Sequence, residues 1–77
     1  MALYTQNKNL VEVWYISGRN EQRFTSFYIP RQANETKEIM MLTASNKFKE
    51  MRNHPGIDIL RVTRVAINKE FYEFEGW

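Results

Sequence analysis

The sequence has few of the residues that build catalytic and metal sites. It contains no cysteine, which excludes disulfide bonds and thiolate metal sites. The one histidine, His54, stands between the end of a predicted helix and a proline, where it caps or decorates a turn more often than it catalyses. The three glycines form no phosphate-binding loop, and no apolar run approaches the roughly 20 residues of a membrane span. We therefore expect no enzyme, no metal site and no cofactor.

The length of 77 residues predicts one small domain, residues 1–77. A chain of this size buries only roughly 60% of its unfolded surface, so its core is marginal. The net charge of +2 is compatible with nucleic-acid contact but does not argue for it. The opening "MALYTQNKNL" has neither the basic start nor the apolar run of a signal peptide, so we expect a cytoplasmic protein.

Two β-rich segments open the predicted fold. "LVEVWYIS" (10–17) places Val11, Val13 and Tyr15 on one face, and Leu10, Glu12, Trp14 and Ile16 on the other. "GRNEQ" (18–22) is typical of a turn. "RFTSFYIP" (23–30) then predicts the return strand of a hairpin that stops at Pro30.

The middle of the chain changes to a helical period. The sequence predicts a helix over about residues 34–53, with Asn34 as its N-cap and Pro55 and Gly56 beyond its end. A stripe about 100° wide is predicted to pack on the sheet; it consists of Met40, Met41, Ala44, Phe48 and Met51. Ile39 and Leu42 fall off this stripe.

Two further strands complete the prediction. "IDILRVTRVAI" (57–67) is rich in β-branched residues, but its alternation slips, which predicts a bulge near Thr63 or partial burial of both faces. Asn68 and Lys69 form a short turn, and "EFYEFEGW" (70–77) follows as an edge strand with Phe71 and Trp77 in one row and Tyr72 and Phe74 in the other. The predicted class is α+β, in the order β-β-α-β-β, with an antiparallel sheet and one helix on one face.

One helix covers only one face of such a sheet, so apolar residues are left over. Trp14, Ile16 and Phe74 are expected on the uncovered sheet face, and Ile39 and Leu42 on the far side of the helix. Aromatic residues, Met and Arg are enriched in the cores of protein interfaces. The candidate partner-binding residues are Trp14, Ile16, Phe27, Ile39, Leu42, Arg61, Arg64, Tyr72 and Phe74.

Three kinds of partner remain open from the residues alone. The favoured interpretation is a protein partner. A nucleic-acid-binding module is the first alternative, because Trp14, Phe27 and Tyr72 or Phe74 are candidates to share a face near arginines. The second alternative is a self-associating structural protein, a homodimer that buries the same apolar surface.

The layout of a hairpin, a proline-stopped strand, one amphipathic helix and then "ILRVTRVAI" resembles that of small phage-encoded inhibitor proteins. These include early proteins that block bacterial RNA polymerase, and small anti-CRISPR proteins. The likeness covers roughly residues 10–67, with "VTRV" (62–65) as its local match. The final strand departs from the three-stranded version of that plan, so no binding residues carry over. The resemblance implies a phage or mobile-element accessory protein that binds and inhibits a host enzyme in the bacterial cytoplasm.

Overall fold

A computed structural model describes residues 8–74 and residue 77 of the chain. In this part of the chain, four strands form one antiparallel sheet in the order β2-β1-β3-β4, with a single helix. The α+β class and the order β-β-α-β-β are therefore confirmed. No helix among the described residues is long and apolar enough to cross a membrane. The elements are β1 (Lys8–Ser17), β2 (Gln22–Pro30), α1 (Lys37–Arg52), β3 (Ile59–Ile67) and β4 (Glu70–Tyr72).

The first strand lies in the middle of the sheet, between β2 and β3. Its alternation matches the prediction: Val11 and Val13 are fully buried, and Tyr15 packs against the same core. The β1–β2 pairing runs without a break from Lys8 opposite Pro30 to Ile16 opposite Gln22. Because successive side chains of a strand point to opposite faces, this register decides which β2 residues share a face with those of β1.

The helix begins later than predicted, at Lys37, with Thr36 as its N-cap. The Thr36 hydroxyl accepts a hydrogen bond from the Ile39 N–H at 3.1 Å. Asn34, the predicted N-cap, instead adopts the left-handed backbone conformation with φ of 58°, which asparagine tolerates better than most residues. The prediction of Asn34 is therefore wrong, because the chain still has to turn at this residue before a helix can start.

The helix packs one face on the sheet. Phe48 and Ala44 are fully buried and Met40 is nearly so, whereas Met41 and Met51 are half-buried. Met40, Met41, Ala44 and Phe48 meet the core surface of the sheet, whereas Met51 is not part of this contact; the sheet residues are Val11, Val13, Ile29, Val65 and Ile67. The predicted stripe is thus the core-facing side of the helix, and Ile39 and Leu42 lie off it, exposed.

The pairing of β1 with β3 shifts register between Trp14 and Tyr15 and again between Ile16 and Ser17. The first shift is a β-bulge near Thr63, one of the two explanations that the slipped alternation left open. Trp14 lies opposite Arg64 and Tyr15 lies opposite Val62, so Thr63 is the extra residue. The Thr63 hydroxyl donates to the Trp14 carbonyl oxygen at 3.1 Å, which ties the bulge to β1. The bulge lets both Val62 and Val65 face the helix although they are three residues apart.

The turn between β3 and β4 consists of the two predicted residues. Asn68 and Lys69 both have positive φ, 52° and 69°, as a two-residue type I′ hairpin turn requires. The strand that follows is shorter than predicted, because β4 ends at Tyr72. Beyond it, residues 75 and 76 lie outside the described part of the chain, so the prediction of a strand over them is not addressed by the structure.

Trp77 is not in the same row as Phe71, contrary to the prediction. It is only 8% exposed, and its ring centroid lies 5.4 Å from that of Phe48 in the core. Arg52, at the end of the helix, donates hydrogen bonds to the carbonyl oxygens of Trp77 and Ile59. Because β4 ends at Tyr72, strand alternation does not fix the side of the sheet on which Trp77 lies. Its apolar indole is buried beside the helix, which is favourable in free energy.

A buried asparagine connects three parts of the fold. Asn9 is 1% exposed, and its side-chain amide donates to Glu35 at 2.9 Å, just before the helix. Its carbonyl oxygen accepts from Arg31 at 3.1 Å and from Asn68 at 2.9 Å. The Asn68 side chain in turn accepts from the Leu10 N–H at 2.9 Å. These hydrogen bonds join β1 to the segment before the helix, which contains Arg31 and Glu35, and to the β3–β4 turn, which contains Asn68.

Candidate binding surface on the open sheet face

The sheet face opposite the helix, here called the open face, has no helix or strand of the described chain packed on it. Since Val11, Val13 and Val65 point to the helix, the alternate residues of each strand point to the open face. The register places Trp14 opposite both Phe24 and Arg64 on this face. The register thus brings these three side chains together on the open face.

Four side chains meet in the middle of the open face, one from each strand. They are Trp14 of β1, Phe24 of β2, Arg64 of β3 and Phe71 of β4, and we call them the aromatic–arginine cluster. The Trp14 ring centroid lies 5.1 Å from that of Phe24 and 6.2 Å from that of Phe71. The Arg64 guanidinium lies 5.8 Å from the Trp14 centroid and 5.0 Å from the Phe71 centroid. Tilted aromatic pairs and cation–π contacts of this kind hold the side chains in place.

The cluster is open to solvent despite its apolar character. Phe71 is 67% exposed and Phe24 is 50% exposed, while Trp14 is half-buried between them. Tyr28, further along β2, is 61% exposed on the same face. Aromatic surface that is grouped rather than scattered is a mark of an interaction site.

Positive charge predominates around the cluster. On the described strands, the charged residues at open-face positions are Lys8, Glu12, Arg61 and Arg64. The only carboxylate among them, that of Glu12, is paired with the Lys69 ammonium at 3.3 Å and is largely shielded from solvent. Among the described residues, the charge balance of the open face is therefore positive.

The structure places two of the predicted partner-binding residues in this cluster, Trp14 and Arg64. Arg61 is exposed and lies opposite Ile16, nearby on the same face. Ile16 also occupies an open-face position, but it is only 8% exposed, so it offers little surface to a partner.

Three predicted residues lie on the other side of the sheet. Phe27, Tyr72 and Phe74 all pack against the helix-facing core, so the expectation that Phe74 lies on the uncovered face is wrong. Phe27 is opposite the buried Val11, and Tyr72 is opposite the buried Val65. Because Val11 and Val65 face the helix, Phe27 and Tyr72 opposite them point to the same side of the sheet.

The aromatic residues that do share the face of Trp14 are Phe24, Tyr28 and Phe71, none of which the sequence analysis selected. A signal for Phe71 was present, because a two-residue turn at 68–69 pairs residue 65 with residue 72 and leaves Phe71 in the opposite row. A signal for Phe24 was weaker. The alternation of β2 puts the apolar residues Phe27 and Ile29 in one row, and Phe24 therefore points to the other face.

The helix presents a separate apolar surface. Leu42 is 62% exposed and Ile39 is 40% exposed, on the side of the sheet away from the aromatic–arginine cluster. Leu42 lines an open groove of about 730 Å³ together with Met41, Tyr72 and Trp77. The exposed residues of the predicted partner-binding set therefore lie on two separate surfaces, the open face and the helix.

A polar cleft of about 380 Å³ lies where the β1–β2 turn meets the loop after the helix. Its charged groups are Arg19, Glu21, Arg23 and Asp58, and Arg23 donates to Glu21 at 2.9 Å. Within the described residues, no group of three or more His, Asp or Glu side chains is placed to hold a metal ion. His54 is exposed after the helix, outside this cleft.

Comparisons with protein-family models, with curated proteins and with solved structures give no match to this chain.

Proposed function

We propose that this protein works by binding rather than by catalysis, and that its docking surface is the aromatic–arginine cluster on the open sheet face. The observation that carries the proposal is that each of the four strands contributes one side chain to a single exposed cluster of three aromatic rings and one guanidinium. Trp and Arg are the residue types that most often dominate binding energy in protein interfaces. The four strands beneath them form one hydrogen-bonded sheet, so the cluster is preorganised before binding.

The partner that fits this surface is a protein with an apolar recess edged by carboxylates. The recess would receive Phe71 and Phe24, the two exposed aromatic rings of the cluster. The carboxylates of the partner would pair with the guanidinium groups of Arg61 and Arg64 on β3. Charge complementarity of this kind raises association rates and excludes partners of the wrong sign.

We further propose that the target is a bacterial host protein and that the chain is a phage or mobile-element inhibitor acting in the host cytoplasm. This part rests on the resemblance in layout to small phage-encoded inhibitors. The fold order and the small size are compatible with it. Such a protein inhibits stoichiometrically, by covering a surface of the host protein.

A second candidate function is the binding of single-stranded nucleic acid. Exposed aromatics on an antiparallel sheet beside positive charge favour it, because bases stack on such rings. It ranks second because the Arg64 guanidinium lies over the rings of both Trp14 and Phe71, where a stacked base needs a free ring face. The Lys8 ammonium lies over Tyr28 in the same way, at 6.0 Å.

A capture experiment from bacterial lysate separates these candidates. The tagged protein is compared with the variant Phe71→Glu, with and without nuclease treatment. The matched control is Leu42→Glu, which adds the same charge at an equally exposed apolar residue on the helix. Thermal melts of all three proteins establish that each is folded.

We expect a protein that survives nuclease and is lost with Phe71→Glu but kept with Leu42→Glu. Recovery of nucleic acid alone, abolished by nuclease, would replace the first candidate by the second. Loss of the partner with Leu42→Glu but not with Phe71→Glu would move the docking surface to the helix.

A further inference from the structure

The outer edge of β2 is a long strand edge with little to protect it. The strand has nine residues, Gln22–Pro30, and no described strand pairs with its outer side. Its register with β1 is unbroken, so no bulge twists the edge away, and Arg23 is its only charged residue. Proteins usually guard exposed edges with charges, bulges or very short strands. The other edge strand, β4, has only three residues and begins with Glu70.

The sequence of β2 is self-complementary about its centre. In an antiparallel pairing of two copies with Ser26 opposite Ser26, Phe24 of each copy lies opposite Tyr28 of the other. Both rings are largely exposed and both point to the open face. Aromatic pairs directly across an antiparallel ladder stabilise it, and the two-fold symmetry forms this pair twice.

Charges at the two ends of the strand agree with the same register. Glu21 precedes β2 and Arg31 follows it, and a pairing centred on Ser26 places Glu21 of one copy opposite Arg31 of the other. Both residues are exposed. The symmetry again makes two such pairs, of opposite charge. A shift of the register by two residues would lose both the aromatic and the charge pairs.

We propose that two copies of this chain associate through β2, antiparallel and centred on Ser26. The two sheets then form one continuous sheet, with both helices on one face. The symmetry axis is perpendicular to the sheet, so both aromatic–arginine clusters lie on the other face. The dimer therefore presents two docking surfaces side by side. This association does not depend on what the open face binds.

The first test measures the mass in solution. Sedimentation equilibrium over roughly 1 to 200 µM should give twice the 9.3 kDa chain mass at the upper concentrations. Ser26→Lys places two like charges opposite each other at the axis, so it should remove the dimer. Leu42→Lys, which adds the same charge at an exposed helix residue in a groove that no β2 residue lines, should leave the dimer intact. A wild-type mass of one chain throughout, or a Ser26→Lys variant as dimeric as the control, would overturn the proposal.

The second test addresses the register. Because the chain has no cysteine, Ser26→Cys introduces a single thiol. Across the axis the two Cα atoms would lie about 4.5 to 5.5 Å apart, a separation that a disulfide spans. Under mild oxidation Ser26→Cys should form a covalent dimer much faster than the control Leu42→Cys, whose groove contains no β2 residue. Equal rates for the two variants would overturn the pairing at Ser26.

Discussion

The substitution Phe48→Ala should remove much of the stability of this fold. Phe48 is fully buried, at the point where the helix meets the sheet and where Trp77 packs. Replacing a buried phenylalanine by alanine costs about 3 to 5 kcal/mol, because apolar burial is lost and a cavity remains. Single domains have about 0.05 to 0.15 kcal/mol per residue, which for this chain is about 4 to 12 kcal/mol in total.

Urea unfolding followed by circular dichroism measures this loss. With a slope of about 1 kcal/mol per molar urea, the unfolding midpoint should fall by about 3 to 5 M. The protein concentration is kept equal for all samples, since self-association adds stability. Leu42→Ala is the matched control: it lies on the same helix but is 62% exposed, so it should change stability by less than about 0.5 kcal/mol. Equal midpoints for the two variants would refute the packing of the helix through Phe48.

Three other substitutions test separate parts of the fold by the same unfolding assay. Trp77→Ala should cost about 2 kcal/mol or more, because its indole is buried against Phe48; a cost near zero would mean that the chain end does not dock in the core. Asn9→Ala should cost about 1 to 3 kcal/mol, since it removes the side-chain hydrogen bonds that a buried residue makes to Glu35, Arg31 and Asn68, and an unchanged midpoint would argue against the network. Lys69→Gly should stabilise the hairpin by about 0.5 kcal/mol, because glycine adopts the positive φ at this residue without strain; destabilisation would show that the ion pair with Glu12 matters more.

The element order could be predicted because each element has a strong local signal. The helical stripe around Phe48, the two-residue turn at 68–69 and the slipped alternation at Thr63 are local patterns, and the structure contains each of them. The helix start was predicted less well. Asn34 and Thr36 are both good N-caps, and only the turn geometry before the helix selects Thr36.

The candidate site was harder to predict because it depends on register between strands. Whether Phe24 or Phe27 shares the face of Trp14 depends on the number of residues in the β1–β2 turn, and one residue more or less exchanges the two faces. The position of Trp77 depends on where β4 ends, which no residue pattern in "EFYEFEGW" marks. These are long-range properties, and composition or periodicity does not contain them.

The most direct test of the central claim is the affinity of the captured partner for three forms of this protein, measured by titration calorimetry. The forms are wild type, Phe71→Ala and Leu42→Ala. Loss of an exposed aromatic anchor in a docking surface should weaken binding by about thirtyfold, equivalent to about 2 kcal/mol. Phe71→Ala should therefore lose about thirtyfold in affinity, while Leu42→Ala binds like wild type. Equal affinity for wild type and Phe71→Ala would contradict the assignment of the open sheet face as the docking surface.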